Sequence, residues 1–181
     1  MAHKTGQLTD GAMAITQIAV VVRDLQKTME LYHKTMGWGP WSVYEHTAPR
    51  LHDTVLRGVP TAYSMLCAET HVGPIDFEII QPLEGPSIYK EWLEAHGEGV
   101  HHIACMKVGS DADALLRQFE EMGMQPMMEG SIGETIRYFY LDTEPMLKFI
   151  LESGSGHAID LQPTRVYPPE ARPTPEPGLS V

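Results

Sequence analysis

The chain has 181 residues, enough for one domain or two small units sharing a core, and 43% of them are apolar, which supports a buried interior. Thirteen Lys and Arg against 24 Asp and Glu give 13 − 24 = −11, and an acidic chain with no basic run repels phosphate backbones and anionic headgroups, which excludes nucleic acid and membrane surfaces as partners. Charged residues at 20% are too few for a disordered polyampholyte.

The first thirteen residues read as a flexible N-terminus without the basic and apolar regions of a secretion signal. A β-type run, Ile18-Ala-Val-Val-Val22, comes next. Asp24 then caps a helix whose apolar stripe is Leu25, Met29, Tyr32 and Met36, and Gly37-Trp-Gly-Pro40 stops it. Strands are predicted at Trp41 to Glu45, Thr61 to Ala68 and Ile75 to Gln81. A short helix from Ser87 to Ala95, with Pro86 before it and Gly97-Glu-Gly99 behind it, separates the halves.

The pattern then repeats. Ile103-Ala-Cys-Met-Lys-Val108 is the second β-type run, Ser110 is the predicted cap, and Leu115, Phe119 and Met122 form the stripe before Gly123-Met-Gln-Pro126. Strands follow at Met127 to Glu129, Ile136 to Leu141 and Leu147 to Leu151. Each half reads β-α-β-β-β, which predicts an α+β fold: two paired βαβββ modules forming a cupped, half-barrel-like mixed sheet with flanking helices. Module one spans about 14–84, the linking helix 86–97 and module two about 100–153; residues 154–181 read as a Pro-rich tail. Cys67 and Cys105 sit in apolar runs without CxxC spacing, as buried free thiols of a reducing cytoplasm.

Four polar residues recur at equivalent strand positions of the halves: Gln17 and Glu78 in the first, His102 and Glu152 in the second. Glu78 is the sharpest anomaly, because it lies inside a run of Phe77, Ile79 and Ile80, where an unpaired carboxylate costs several kcal/mol. Read singly, Glu78 is as well explained as a salt-bridged or solvent-facing group as by metal ligation, Gln17 and Glu152 read as exposed strand-end residues, and His102 as a hydrogen-bonded core histidine. Their joint recurrence favours a constellation: one imidazole, two carboxylates and an amide oxygen suit one divalent zinc, nickel, cobalt, manganese or iron(II) ion. The other histidines lack HxxxH or HExxH spacing and read mostly as surface groups, with His101 on the face opposite His102. Trp38, Trp41, Tyr44, Tyr63, Tyr138 and Tyr140 are either ordinary core aromatics or the lining of a pocket.

Gln17-Ile-Ala-Val-Val-Val-Arg-Asp-Leu25, Gly97-Glu-Gly-Val-His-His-Ile-Ala104 and Asp142-Thr-Glu-Pro followed by Ile150-Leu-Glu152 resemble the vicinal oxygen chelate superfamily, in its methylmalonyl-CoA epimerase and glyoxalase-like branch. The resemblance implies Glu78, His102 and Glu152 as metal ligands, with Gln17 at a position where the epimerases carry histidine and the zinc-dependent glyoxalase I carries glutamine. An alternative register puts Phe149 in place of Glu152. The implied activity is that of a metal-dependent isomerase, epimerase or lyase: α-proton abstraction from a small carbonyl or acyl-CoA substrate through a metal-stabilised enolate. A non-catalytic sequestering protein of the same fold is the alternative, and the Gln17 set argues against a ring-cleaving dioxygenase. Glu152 is the first candidate for the base. The epimerases take the second acid/base from a glutamate before the third strand, where this chain reads Arg57-Gly-Val-Pro60, leaving Glu45, His52 or Asp53 as substitutes. The resemblance also implies a homodimer.

Overall fold

The computed structural model describes Leu8, residues 12–156 and residues 161–170. His3, His157, most of the predicted N-terminal segment and the tail beyond Glu170 lie outside the described residues. Among the described residues no helix is long and apolar enough to cross a membrane.

Module one begins with β1 (Gln17–Val21) and α1 (Leu25–Met36). The Asp24 side chain accepts the Lys27 N–H at 3.0 Å, and Gly37, at φ +70°, closes the helix with its N–H on the His33 carbonyl. Five strands follow: β2 (Trp41–His46), β3 (Leu51–Leu56), β4 (Val59–Pro60), β5 (Met65–Val72) and β6 (Ile75–Pro82). Helix α2 (Ile88–Ala95), capped by Ser87, leads into module two: β7 (Gly99–Met106), α3 (Ala112–Glu121), β8 (Pro126–Ile132), β9 (Ile136–Leu141), the short α4 (Glu144–Leu147), β10 (Ile150–Ser155) and finally β11 (Arg165–Tyr167).

Among the described residues the eleven strands form one mixed sheet in the order β11-β2-β5-β6-β1-β7-β10-β9-β8-β3-β4. The modules meet within the chain, β1 antiparallel to β7, and each carries its own parallel partner, β6 on β1 and β10 on β7. Period-two alternation sorts the side chains. On the outer face Val20, Trp41 and Ile79 pack against Leu25 and Met29 of α1, and Phe139 and Leu151 pack against Leu115 and Phe119 of α3. On the inner face Ala19, Val21, Cys67, Ile80, Tyr140 and Ile150 share a third core with Ile88, Tyr89 and Leu93 of α2, which plugs one end of the cup. Cys67 and Cys105 are both buried free thiols.

Five local expectations are corrected. The strand predicted from Thr61 starts at Met65 and runs on to Val72. The hairpin β3–β4 has no counterpart in the predicted elements, because His52-Asp-Thr breaks the apolar alternation; β3 is a strand through its pairing with β8 of the other module, around a bulge between His52 and Val55. Asp111, not Ser110, caps α3, accepting the Ala114 N–H at 3.0 Å while the Ser110 hydroxyl turns back to the Lys107 carbonyl at 2.7 Å. The strand predicted at Leu147 to Leu151 divides into α4 and β10, pinned by Thr143, whose hydroxyl donates to the Phe149 carbonyl and accepts from the Leu151 N–H, both at 2.8 Å. Within the expected tail, β11 adds to the β2 edge.

Candidate metal centre

The register of four central strands builds the site. One row across the inner face reads Ser42, Glu69, Glu78, Ala19, His102, Ile150, and the next reads Asp76, Gln17, Ala104, Glu152, Tyr140. Ala19 and Ala104 are both fully buried. With only a methyl at each position on the floor, the longer side chains to either side can converge above them.

They do converge. Glu78, His102 and Glu152 each offer a ligand atom within 4.8 Å of the others, and all three are buried, His102 completely. The His102 Nε2 lies 2.9 Å from a Glu152 carboxylate oxygen and 3.5 Å from one of Glu78. At 2.9 Å the two attract as an ion pair but lack hydrogen-bond geometry, so His102 Nε2 and Glu152 Oε2 are both buried without a hydrogen-bond partner. Buried polar atoms are seldom orphaned, and two that face the same point ask for a common partner. One imidazole nitrogen and two carboxylates are hard or borderline donors that a divalent cation accepts, so the residues present fit such an ion. Glu152 stands in β10 with its side chain on the inner face; the register that would substitute Phe149 does not occur, since Phe149 packs beneath α3.

Burial alone would push the His102 pKa down, but the Glu152 and Glu78 carboxylates outweigh it and hold the metal-free imidazole at about 9. His101 departs from the expected opposite face. The β1–β7 register slips between Ala19 and Val20, so that His102 faces Ala19 while Val100 faces Val20 and His101 is the extra residue of a bulge. Both imidazoles therefore turn to the same side, His101 Nδ1 lies 2.9 Å from His102 Nδ1, and the His101 ring is buried against Tyr89, Trp92 and Tyr140. Burial, then the neighbouring His102, drives the His101 pKa well below its ordinary value, so this partner stays neutral and can fix the orientation of the His102 ring.

A cavity of about 420 Å³ opens above the cluster, lined by Gln17, Glu69, Asp76, Glu78 and Glu152 at one end. Of the six aromatic candidates, Tyr44, Tyr138 and Tyr140 line it, whereas Trp38 and Trp41 pack around Tyr32 of α1 and Tyr63 is buried with its hydroxyl on that of Tyr138. Glu45 and His52 do not line it. Glu45 alternates to the outer face of β2 and is exposed, and His52 is exposed on β3, tied to Asp53 and to the Gly133 carbonyl, each at 2.8 Å. Among the lining residues not singled out from the sequence are Glu69, directly opposite Glu78 across the β5–β6 hairpin, and Asp76; His46 on β2, expected with the other histidines at the surface, is buried and lines it too. The signal for Glu69 was available, since counting back from the Gly73-Pro74 turn pairs residue 69 with residue 78 on one face.

Residues 16–140 match the family described as Glyoxalase/Bleomycin resistance protein/Dioxygenase superfamily. Among solved structures, the chain is similar to methylmalonyl-CoA epimerase from Mycobacterium tuberculosis, at 19% identity and a TM-score of 0.57 over 83% of this chain and 93% of that one. It is similar to a hypothetical protein from Bacillus halodurans C-125, at 14% identity and a TM-score of 0.62 over 81% and 96%. A Streptomyces coelicolor methylmalonyl-CoA epimerase variant in complex with 2-nitronate-propionyl-CoA aligns at 23% identity and a TM-score of 0.54 over 82% and 100%. At these identities the likeness establishes the fold. No curated protein sequence matches the chain significantly.

Proposed function

The chain belongs to the glyoxalase/bleomycin resistance protein/dioxygenase superfamily, and from that premise we propose that it is a metal-dependent isomerase, epimerase or lyase that abstracts a proton next to a carbonyl group. The observation that carries the proposal is the buried convergence of Glu78, His102 and Glu152 with two orphaned ligand atoms. Gln17, on the same inner face, would complete the set through its amide oxygen, and a donor set of nitrogen and oxygen suits zinc, nickel, cobalt or manganese. When bound, the ion supplies a Lewis acid that raises the acidity of the α-proton, which a carboxylate could not remove unaided.

The chain's own residues divide the remaining work. Glu69 on β5 and the cluster's own Glu152 on β10 stand on opposite sides of β1, with β6, β1 and β7 between them. A substrate carbon held above β1 would have one carboxylate to each side, the arrangement in which one takes a proton from one face and the other returns it to the opposite face. Tyr138 and Tyr140 exclude water from the side of module two, and the Tyr140 hydroxyl, accepting from Tyr89 at 2.8 Å, keeps its own proton available for a bound oxygen. A purely sequestering protein would have no use for buried carboxylates gathered at one imidazole, which favours the enzyme.

Elemental analysis of protein purified without chelator tests the proposal. About one divalent ion per chain in the wild type, lost in Glu78→Ala and in His102→Ala, together with α-proton exchange into deuterated water, is the expected result. A wild type that takes up none of the four metals on soaking refutes it.

A further inference from the structure

The two ends of the cavity differ in chemistry. The cluster end holds four carboxylates, Glu69, Asp76, Glu78 and Glu152, and among the described residues no Lys or Arg lines any part of the cavity. Even with one divalent cation and a charged His71 paired to Asp76, the sum there is −4 + 2 + 1 = −1, a field that repels an anion. Of the guanidinium groups nearby, Arg57 forks onto Glu91 at 2.7 and 2.8 Å and Arg137 binds Glu129, while Arg50, whose charge is felt at His46, stays outside the cavity lining. Phosphates and carboxylates are recognised by Arg or Lys forks, and none of the described lining residues offers one.

The other end is walled mainly by aromatic and aliphatic side chains. Tyr44, Met65, Ile132 and Tyr138 form the walls, and His46 stands among them, 3% exposed, its ring stacked on Tyr44 at 5.8 Å and its Nδ1 without a hydrogen-bond partner. His46 is four residues further along β2 than Ser42, which shares the row of Glu78, so it stands about 13 Å along the strand from that row. Burial, with Arg50 adding to it, lowers the His46 pKa to about 4, so the ring is a neutral donor and acceptor at physiological pH. Leaving such a group unpaired in an apolar wall costs about 1–3 kcal/mol, which a ligand oxygen would recover.

Resting on the proton-abstraction reading above, we propose that the cavity takes a compact, uncharged, phosphate-free carbonyl compound, with its carbonyl at the Glu78, His102 and Glu152 end and a hydroxyl or second oxygen hydrogen-bonded by His46. This separates the chain from the epimerases whose fold it shares, whose solved complexes hold acyl-CoA compounds. The charge at one end rejects the anion, and the imidazole at the other selects among neutral ligands.

Zinc-loaded full-length protein in equilibrium dialysis tests the assignment with three probes: para-hydroxybenzylacetone, an uncharged ketone bearing a distant phenol; benzylacetone, which lacks the hydroxyl; and methylmalonyl-CoA. The phenol should bind about tenfold more tightly than benzylacetone, and methylmalonyl-CoA more weakly than either. In His46→Ala the two ketones should become equal, and His46→Asn, which retains a hydrogen-bonding group, should restore part of the preference. The Asn variant and the wild-type comparison carry the test if the Ala variant does not fold. Methylmalonyl-CoA binding as tightly as the ketones, no binding of either ketone, or a hydroxyl preference that survives in folded His46→Ala overturns the assignment. Deuterium exchange on the same samples reads the chemistry separately. A bound ketone whose α-protons do not exchange overturns proton abstraction and leaves the ligand class standing; exchange on methylmalonyl-CoA alone does the reverse.

Discussion

Binding of a divalent ion should expel close to one proton per site between about pH 6 and 8, and about half a proton near pH 9. The metal-free His102 imidazole, held at about 9 by Glu152 and Glu78 against the opposing effect of burial, is protonated at neutral pH, and a protonated Nε2 cannot coordinate. At pH 7 the ion must displace a proton bound 9 − 7 = 2 pH units above ambient, which weakens its apparent affinity about a hundredfold relative to the deprotonated site. Between pH 6 and 8 the logarithm of the affinity should therefore climb by about one per pH unit. The same shift acts on the fold without metal. A histidine raised from 6.5 to about 9 stabilises the native state fully below the unfolded value of 6.5, by about 3 kcal/mol, and that contribution disappears as pH rises through about 9. Isothermal titration of chelator-stripped protein with zinc, in buffers of differing ionisation enthalpy, counts the protons directly, and Glu152→Gln, which removes the nearest carboxylate charge, should lower the count at pH 8. Zinc that binds with no proton release and with flat affinity from pH 6 to 8 would refute the buried ion-pair account of the site.

Replacing Glu69 by Gln should leave the metal content at the wild-type level while α-proton exchange falls by about 10²- to 10⁴-fold; exchange at the wild-type rate would remove Glu69 from the chemistry. Gly130→Ala puts a Cβ 2.3 Å from the Tyr138 hydroxyl and 2.7 Å from its Cζ, so the cavity wall must shift. A loss of about 1–3 kcal/mol, read as a fall of about 3–10 °C in Tm by scanning calorimetry, is expected, and an unchanged Tm would show that the Tyr63–Tyr138 pair yields freely.

The parts of this molecule that sequence reading reached are those written in local pattern. Ile18 to Val22 and Ile103 to Val108 announce the repeat, Asp24 and Gly37 bracket α1 to the residue, and Glu78 betrays itself as a carboxylate in an apolar run. What escaped depends on partners distant in the chain. β3 has no alternation of its own and becomes a strand only against β8. His101 reverses its expected direction because β7 carries one residue more than β1 can pair, a count that neither strand reveals alone. Glu69 sits among Ala68, Thr70 and His71, where a glutamate is unremarkable until the hairpin sets it against Glu78, and His46 acquires meaning only once the cup surrounds it.

Duplication also explains why the cluster is lopsided. Gln17 and His102 are equivalents, as are Glu78 and Glu152, and Ala19 and Ala104 are the paired gaps that admit them. Two identical halves would place two histidines at the joint; this chain keeps the imidazole only in module two, where it lies nearer its own Glu152 at 2.9 Å than Glu78 of module one at 3.5 Å. Glu78 thus reaches the cluster across the β1–β7 pairing, and the cluster's geometry depends on that register. An ion held by Glu78, His102 and Glu152 would tie module one to module two at the seam, so its binding free energy would stabilise the joint against separation as well as prepare the site for chemistry.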